Sequence, residues 1–137
     1  MDTNLAQISI LVKDYDEAID YYTVKLGFDL VGDTELGEGK RWVVVKPKGS
    51  GSASIVLAKA EADQINFIGK QGGGRVFLFL HTDDFWRDHQ RMTENGVVFK
   101  EEPRTEVYGT VAVFEDLYGN QWDLLEHVPG HRYYLGD

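Results

Sequence analysis

The punctuation of this chain repeats. Asp14 and Gly27 bracket one stretch of helical periodicity, Asp83 and Gly96 bracket another, and the two aspartates and the two glycines are each 69 residues apart. An aspartate ahead of an amphipathic run accepts a hydrogen bond from the first free N–H groups of a helix. A glycine behind it adopts the left-handed conformation that stops one. In the first run Tyr15, Ala18, Ile19, Tyr22 and Leu26 share a helical face; in the second Phe85, Trp86, His89 and Met92 do so. A strand-like segment precedes each helix, Gln7–Val12 and Arg75–His81. Three follow the first helix, at Phe28–Val31, Arg41–Lys46 and Ala53–Ala58, with Gly32–Lys40 as a polar loop. Three follow the second, at Val97–Phe99, about Glu106–Glu115 and Gln121–Glu126.

Strand, helix, three strands, performed twice, is an internal repeat carried by period and punctuation rather than by side-chain identity. One helix covers only one face of such a sheet. Two units setting their sheets side by side would make a curved, eight-stranded mixed sheet whose concave cleft is the natural place for a ligand. The expected class is α+β, with one domain over residues 1–137. Module one spans about 4–58, a linker 59–74, module two about 75–127, and a tail 128–137. Gly72-Gly73-Gly74 marks the linker as a flexible connection. A phosphate cradle would need Gly-Lys-Ser/Thr opening a helix, and here a strand follows.

Composition narrows the function classes. There is no cysteine, which removes disulfides, thiolate catalysis and Cys-based zinc sites. The 23 acidic residues outnumber the 14 basic ones for a net charge of −9, the opposite of a nucleic-acid footprint. That balance keeps a surface soluble, and it would also steer a cationic small molecule. No apolar run reaches membrane-spanning length, and Met1–Gln7 lacks the basic and apolar regions of a signal peptide, so the expected location is the cytoplasm.

The stretch Val111–Glu126 holds the chemistry. It reads as strand, turn at Gly119-Asn120, and strand, and it places Asp123 on one face between residues that look buried. In one reading Asp123 faces a cavity lined by Phe77, Val56 and Trp42, where desolvation raises its pKa and makes it a candidate base. In the other it accepts hydrogen bonds from Gln7 and is structurally satisfied. His81 shares the strand face of Phe77, at the cavity rim or simply at a strand end. His89 lies on the apolar helix face. His127 and His131 belong to the tail, where Tyr133-Tyr134 is a candidate cover for a pocket or a dimer seam.

Ile8-Ser-Ile-Leu-Val-Lys-Asp14, Ala18-Ile-Asp-Tyr-Tyr22, Leu26-Gly-Phe28 and Phe114-Glu-Asp-Leu-Tyr-Gly-Asn-Gln-Trp-Asp-Leu-Leu-Glu126 together resemble the vicinal oxygen chelate superfamily, which includes glyoxalase I, bleomycin resistance proteins and extradiol dioxygenases. The resemblance covers roughly residues 5–127 and implies paired βαβββ modules and a homodimer. The four positions from which metal-dependent members draw ligands fall on Gln7, Val56, Phe77 and Asp123. Only Gln7 and Asp123 carry ligating side chains, too few for a catalytic zinc or for a six-oxygen site. The resemblance therefore implies a small-molecule-binding protein of the bleomycin-resistance type, with neither metal nor other cofactor. Its ligand would lie in an apolar aromatic cleft formed by Gln7, Trp42, Val56, Phe77, His81 and Asp123, with acidic side chains suited to a cationic part. The alternatives are a glyoxalase-like lyase or isomerase using Gln7 and a catalytic Asp123 at a degenerate divalent-metal site, and a stress-related or partner-binding module without a small ligand.

Overall fold

The computed structural model describes residues 1–130. The chain divides into two compact units, the first ending at Gln71 and the second beginning at Gly72.

In the first unit, β1 (Gln7–Val12) leads into α1 (Tyr15–Asp20), followed by a π-helical turn over Tyr21–Lys25. Next come β2 (Asp29–Gly37), β3 (Lys40–Lys46) and β4 (Ser54–Lys59). Asp14 caps α1 as its type demands, its Oδ2 accepting from the Glu17 N–H at 2.9 Å. Gly27 ends the helical segment at φ +75°. The sheet order is β1-β4-β3-β2, with β1 parallel to β4 and the other neighbours antiparallel. A strand alternates its faces, so Ile10, Val12, Val43, Val45, Ile55 and Leu57 point together and are buried, as are Tyr15, Ala18, Tyr22 and Leu26 from the helical segment. Arg41 ties the hairpin to the helix: it forks onto Asp33 at 3.1 and 2.8 Å, reaches Asp16 at 3.0 Å, and lies over the Tyr15 ring.

The second unit repeats the plan. Its elements are β5 (Val76–His81), α2 (Phe85–Glu94), β6 (Val98–Phe99), β7 (Arg104–Glu106), β8 (Gly109–Glu115) and β9 (Gln121–His127). The order β5-β9-β8-β6, with β5 parallel to β9, matches the first sheet strand for strand, and β7 adds a short extra partner to β8. Phe85, Phe114 and Trp122 are buried on the helix side, where Phe114 stacks on Trp122 at 5.7 Å between centroids. His89 lies half-buried in the same cluster, 4.3 Å from the Phe99 ring and 5.5 Å from Phe85. Trp86, read from periodicity as part of that face, is mostly exposed.

Several boundaries differ from the sequence reading. The cap of α2 is Asp84, which accepts from the Arg87 N–H at 3.2 Å, while Asp83 pairs with the Arg87 guanidinium instead. The helix stops keep the offset of 69, since Gly96 has φ +90°, whereas the caps are 70 apart. The polar loop expected over Gly32–Lys40 is mostly strand: β2 runs nine residues as a sheet edge, with register shifts at Leu30/Gly32 and Glu35/Gly37. An edge strand needs partners on one side only, which lets polar, glycine-punctuated sequence pair. The linker contains a 3₁₀ turn over Ala62–Phe67, and Gln71 is pinned to β1, accepting from the Leu11 N–H at 2.7 Å and donating to Ser9 O at 3.2 Å. His131 and Tyr133-Tyr134 lie outside the described residues.

The β8–β9 turn is built on a buried carboxylate. Asp116 accepts at Oδ1 from the Tyr118 and Asn120 N–H groups, at 3.1 and 3.0 Å. At Oδ2 it accepts from Asn120 Nδ2 and Trp122 Nε1, at 3.0 and 3.2 Å. Four donors converge on one side chain in a site closed to water. Asp116→Ala leaves all four short of an acceptor and should cost about 3 kcal/mol, read as a lower denaturant midpoint at unchanged slope. A loss under about 0.5 kcal/mol would mean that the turn holds itself without the network.

Candidate functional site

On the face of the first sheet away from α1, Trp42, Val44 and Lys46 of β3 alternate with the core residues Val43 and Val45. Gly32 pairs with Val44 and Thr34 with Trp42 in β2. In β4 the ladder partners Val44↔Val56 and Val45↔Ile55 bring Ser54 next in register beside Lys46, and Ser54 pairs in turn with Gln7 of β1. Lys46, Ser54 and Gln7 therefore form a row across three strands. These side chains, with Gly32, Val44 and Trp42, line an open pocket of about 470 Å³. Gly32 contributes no side chain to it. Trp42 stands 43% exposed although it sits inside a strand.

The charges here are unevenly committed. Asp29 lies opposite Lys46 in the ladder, but its Oδ1 accepts from Lys48 Nζ. Lys46 has neither an ion-pair nor a hydrogen-bond partner among the described residues, and no carboxylate lines the pocket.

On the second sheet Asp123 sits between buried Trp122 and Leu124 and points away from them, to the face opposite α2. Its ladder neighbours are Phe79 on β5 and Val113 on β8. Asp123 Oδ1 is buried and accepts no hydrogen bond among the described residues. Burial pushes its carboxyl above the usual range; the Arg104 guanidinium pulls the other way, and Glu101 adds to the rise.

The residues expected from sequence divide between the two units. Gln7 and Trp42 meet in the first-unit pocket. Val56 is on the same face beside Val44, one ladder step from the lining. Phe77 falls at the irregularity between Val76 and Leu78, so the ring directly opposite Asp123 is Phe79, 66% exposed. His81 pairs with Leu125, and its ring lies 5.2 Å from that of His127. Lys46, Ser54, Gly32 and Phe79 escaped the sequence reading. The signal for Lys46 was present, since strand alternation puts it on the same face as Trp42.

The donor set does not fit a catalytic metal. Val56 and Phe77 offer no ligating atom, and among the described residues no three His, Asp or Glu side chains gather in a way that would hold an ion.

A family model described as Glyoxalase/Bleomycin resistance protein/Dioxygenase superfamily matches residues 4–124. An uncharacterized protein of Shewanella frigidimarina (strain NCIMB 400) is 58% identical over 128 residues, covering 92% of this chain and 95% of the relative. Among solved structures, UcmS2 is 33% identical with a TM-score of 0.79, covering 91% of this chain and 98% of its own. TnmS3, an antibiotic binding protein from Streptomyces sp. CB03234, is 31% identical with a TM-score of 0.74, covering 93% of this chain and 98% of its own. Among the described residues no helix is long and apolar enough to cross a membrane.

Two outcomes are expected from this geometry. Protein purified without chelator should carry no stoichiometric divalent metal, and EDTA should leave its Tm unchanged; a metal that binds only the folded chain would raise Tm, so a drop on chelation would expose a donor set other than these four positions. A carboxyl whose pKa is higher folded than unfolded binds more protons when folded. Its contribution to stability is therefore full below about pH 4, the unfolded range, and lost as pH rises through the folded value. Asp123→Asn should thus be more stable than the parent at pH 7 and lose that advantage at pH 3. Equal denaturant midpoints at both would mean that Oδ1 has a donor.

Proposed function

The chain belongs to the Glyoxalase/Bleomycin resistance protein/Dioxygenase superfamily, and on that premise we propose that it is a binding protein for an aromatic small molecule, held without a metal. The observation that carries this reading is the pocket of about 470 Å³ on the far face of the first sheet, with Trp42 half-exposed at its edge. A half-exposed indole at the edge of that pocket offers a flat apolar face on which a ligand's rings can stack. The volume falls in the range of sites for drug-sized ligands. The likeness to an antibiotic binding protein supports the same class of activity. The mechanism is sequestration, which needs only affinity. Of the other residues expected to touch ligand, Val56 belongs to the same face, while Phe77, His81 and Asp123 belong to the second unit. A cytoplasmic homodimer is the setting we propose for it.

A lyase or isomerase is the second reading, favoured by one observation, the desolvated acid at Asp123, whose Oδ1 accepts no hydrogen bond among the described residues. Abstracting a proton beside a carbonyl also requires stabilising the enolate that forms. The positions that would hold an ion for that task carry Val56 and Phe77.

A thermal-shift screen over polycyclic aromatic antibiotics and simpler fused-ring compounds should find ligands that raise Tm. Trp42→Ala should then weaken the best of them about tenfold or more by calorimetry. Ligands whose affinity is indifferent to Trp42→Ala would place binding elsewhere.

A further inference from the structure

We infer that the first-unit pocket selects an anionic aromatic ligand, a fused-ring carboxylate or phenolate, whose negative group pairs with Lys46 while its rings lie toward Trp42. The inference rests on the reading of that pocket as the ligand site and adds the charge of the ligand. The chain as a whole argues the other way, because a net charge of −9 attracts cations. That field acts through solvent, where it is screened within about 8 Å at physiological salt. The contact is decided by the lining, and among the described residues the lining holds one lysine and no carboxylate.

Three features make Lys46 a recognition group rather than a solvated surface charge. It is half-buried near the end of β3, with its stem on the same face as Val44 and Trp42. The acid opposite it, Asp29, is engaged by Lys48, which leaves the Lys46 ammonium without a partner among the described residues. The Gln7 carboxamide, in the same row, is likewise without a partner among the described residues and brings donors to the same end. Polarity is graded along the strand: ammonium and amide at one end, a valine beside a bare glycine in the middle, and an indole at the other. Lys46 lies four positions along the strand from Trp42, about 13 Å, and the row from Lys46 to Gln7 spans about 10 Å. A two- or three-ring acid fits that length with its carboxylate at the lysine end. A cation in the same place would meet an ammonium and, among the described residues, no carboxylate in the lining.

Gly32 supplies the control. Its φ is not positive, and a Cβ added there would sit 3.7 Å from Val44, an ordinary contact. Gly32→Leu therefore fills the pocket without forcing the backbone. The experiment measures binding of 2-naphthoate, 2-naphthamide and 2-naphthylmethylammonium by calorimetry to the full chain, to Lys46→Met and to Gly32→Leu. Circular dichroism confirms that each variant is folded. The expected result is naphthoate tightest in the parent. Lys46→Met should weaken naphthoate about tenfold and leave naphthamide unchanged, and Gly32→Leu should abolish both. If the probes bind and Gly32→Leu blocks them, but naphthoate has no advantage or keeps it in Lys46→Met, the charge preference is overturned and the pocket stands. A tighter ammonium probe overturns it in the same way. If no probe binds, or Gly32→Leu changes nothing, the pocket itself is rejected and the inference falls with it.

Discussion

Each sheet of this protein has a helix on one face only, and the rest follows from that. Apolar side chains at every second position pack toward α1 or α2, so the intervening positions must point the other way. In the first unit Ile10, Val43, Val45, Ile55 and Leu57 are sealed beneath the helix, which commits Gln7, Trp42, Lys46 and Ser54 to the far face. In the second, Trp122 and Leu124 are sealed, which commits Asp123. The candidate site positions are the complement of the core. A slip of one residue in any ladder would exchange the two sets.

Register is therefore the quantity that the fold protects. On the second sheet it is held by the Asp116 network, which clamps the turn between β8 and β9 and reaches Trp122 in the following strand. That turn places Asp123 opposite Phe79 and Val113, with one oxygen that has no donor among the described residues. Two aspartates seven residues apart thus have opposite fates. Asp116 accepts from the Tyr118, Asn120 and Trp122 donors, whereas Asp123 is desolvated and its Oδ1 accepts no hydrogen bond among the described residues.

Much of this was legible in the residues. The cap at Asp14, the stops at Gly27 and Gly96, and most of the strands come from local chemistry: an oxygen for free N–H groups, a glycine for positive φ, alternation for a half-buried sheet. The misses share a cause. β2 looked like a loop because polar residues and glycines disfavour strands on average, yet an edge strand with two register shifts accommodates them. The cap of α2 moved from Asp83 to Asp84 because either carboxylate serves locally, and the Arg87 guanidinium engages Asp83. The candidate site was legible in part. Asp123 stood out as a carboxylate between apolar neighbours, Gln7 through the family resemblance and Trp42 as an aromatic on a strand, but Lys46 and Phe79 gain their meaning only from what stands beside them across the ladder.

Taken alone, the sequence determined the repeated strand–helix–strand plan and the positions of the helix stops, since these depend on residue type and spacing along the chain. The tertiary structure decided which residues share a pocket and which charges remain unspent. Lys46 is an ordinary lysine in the sequence; with Asp29 turned to Lys48, Gly32 leaving space and Ser54 and Gln7 in its row, it becomes the charge that a ligand would meet. The reason is physical. Backbone preferences act between residues a few positions apart, whereas the partner of a charge is chosen across strands that are brought together only when the core closes.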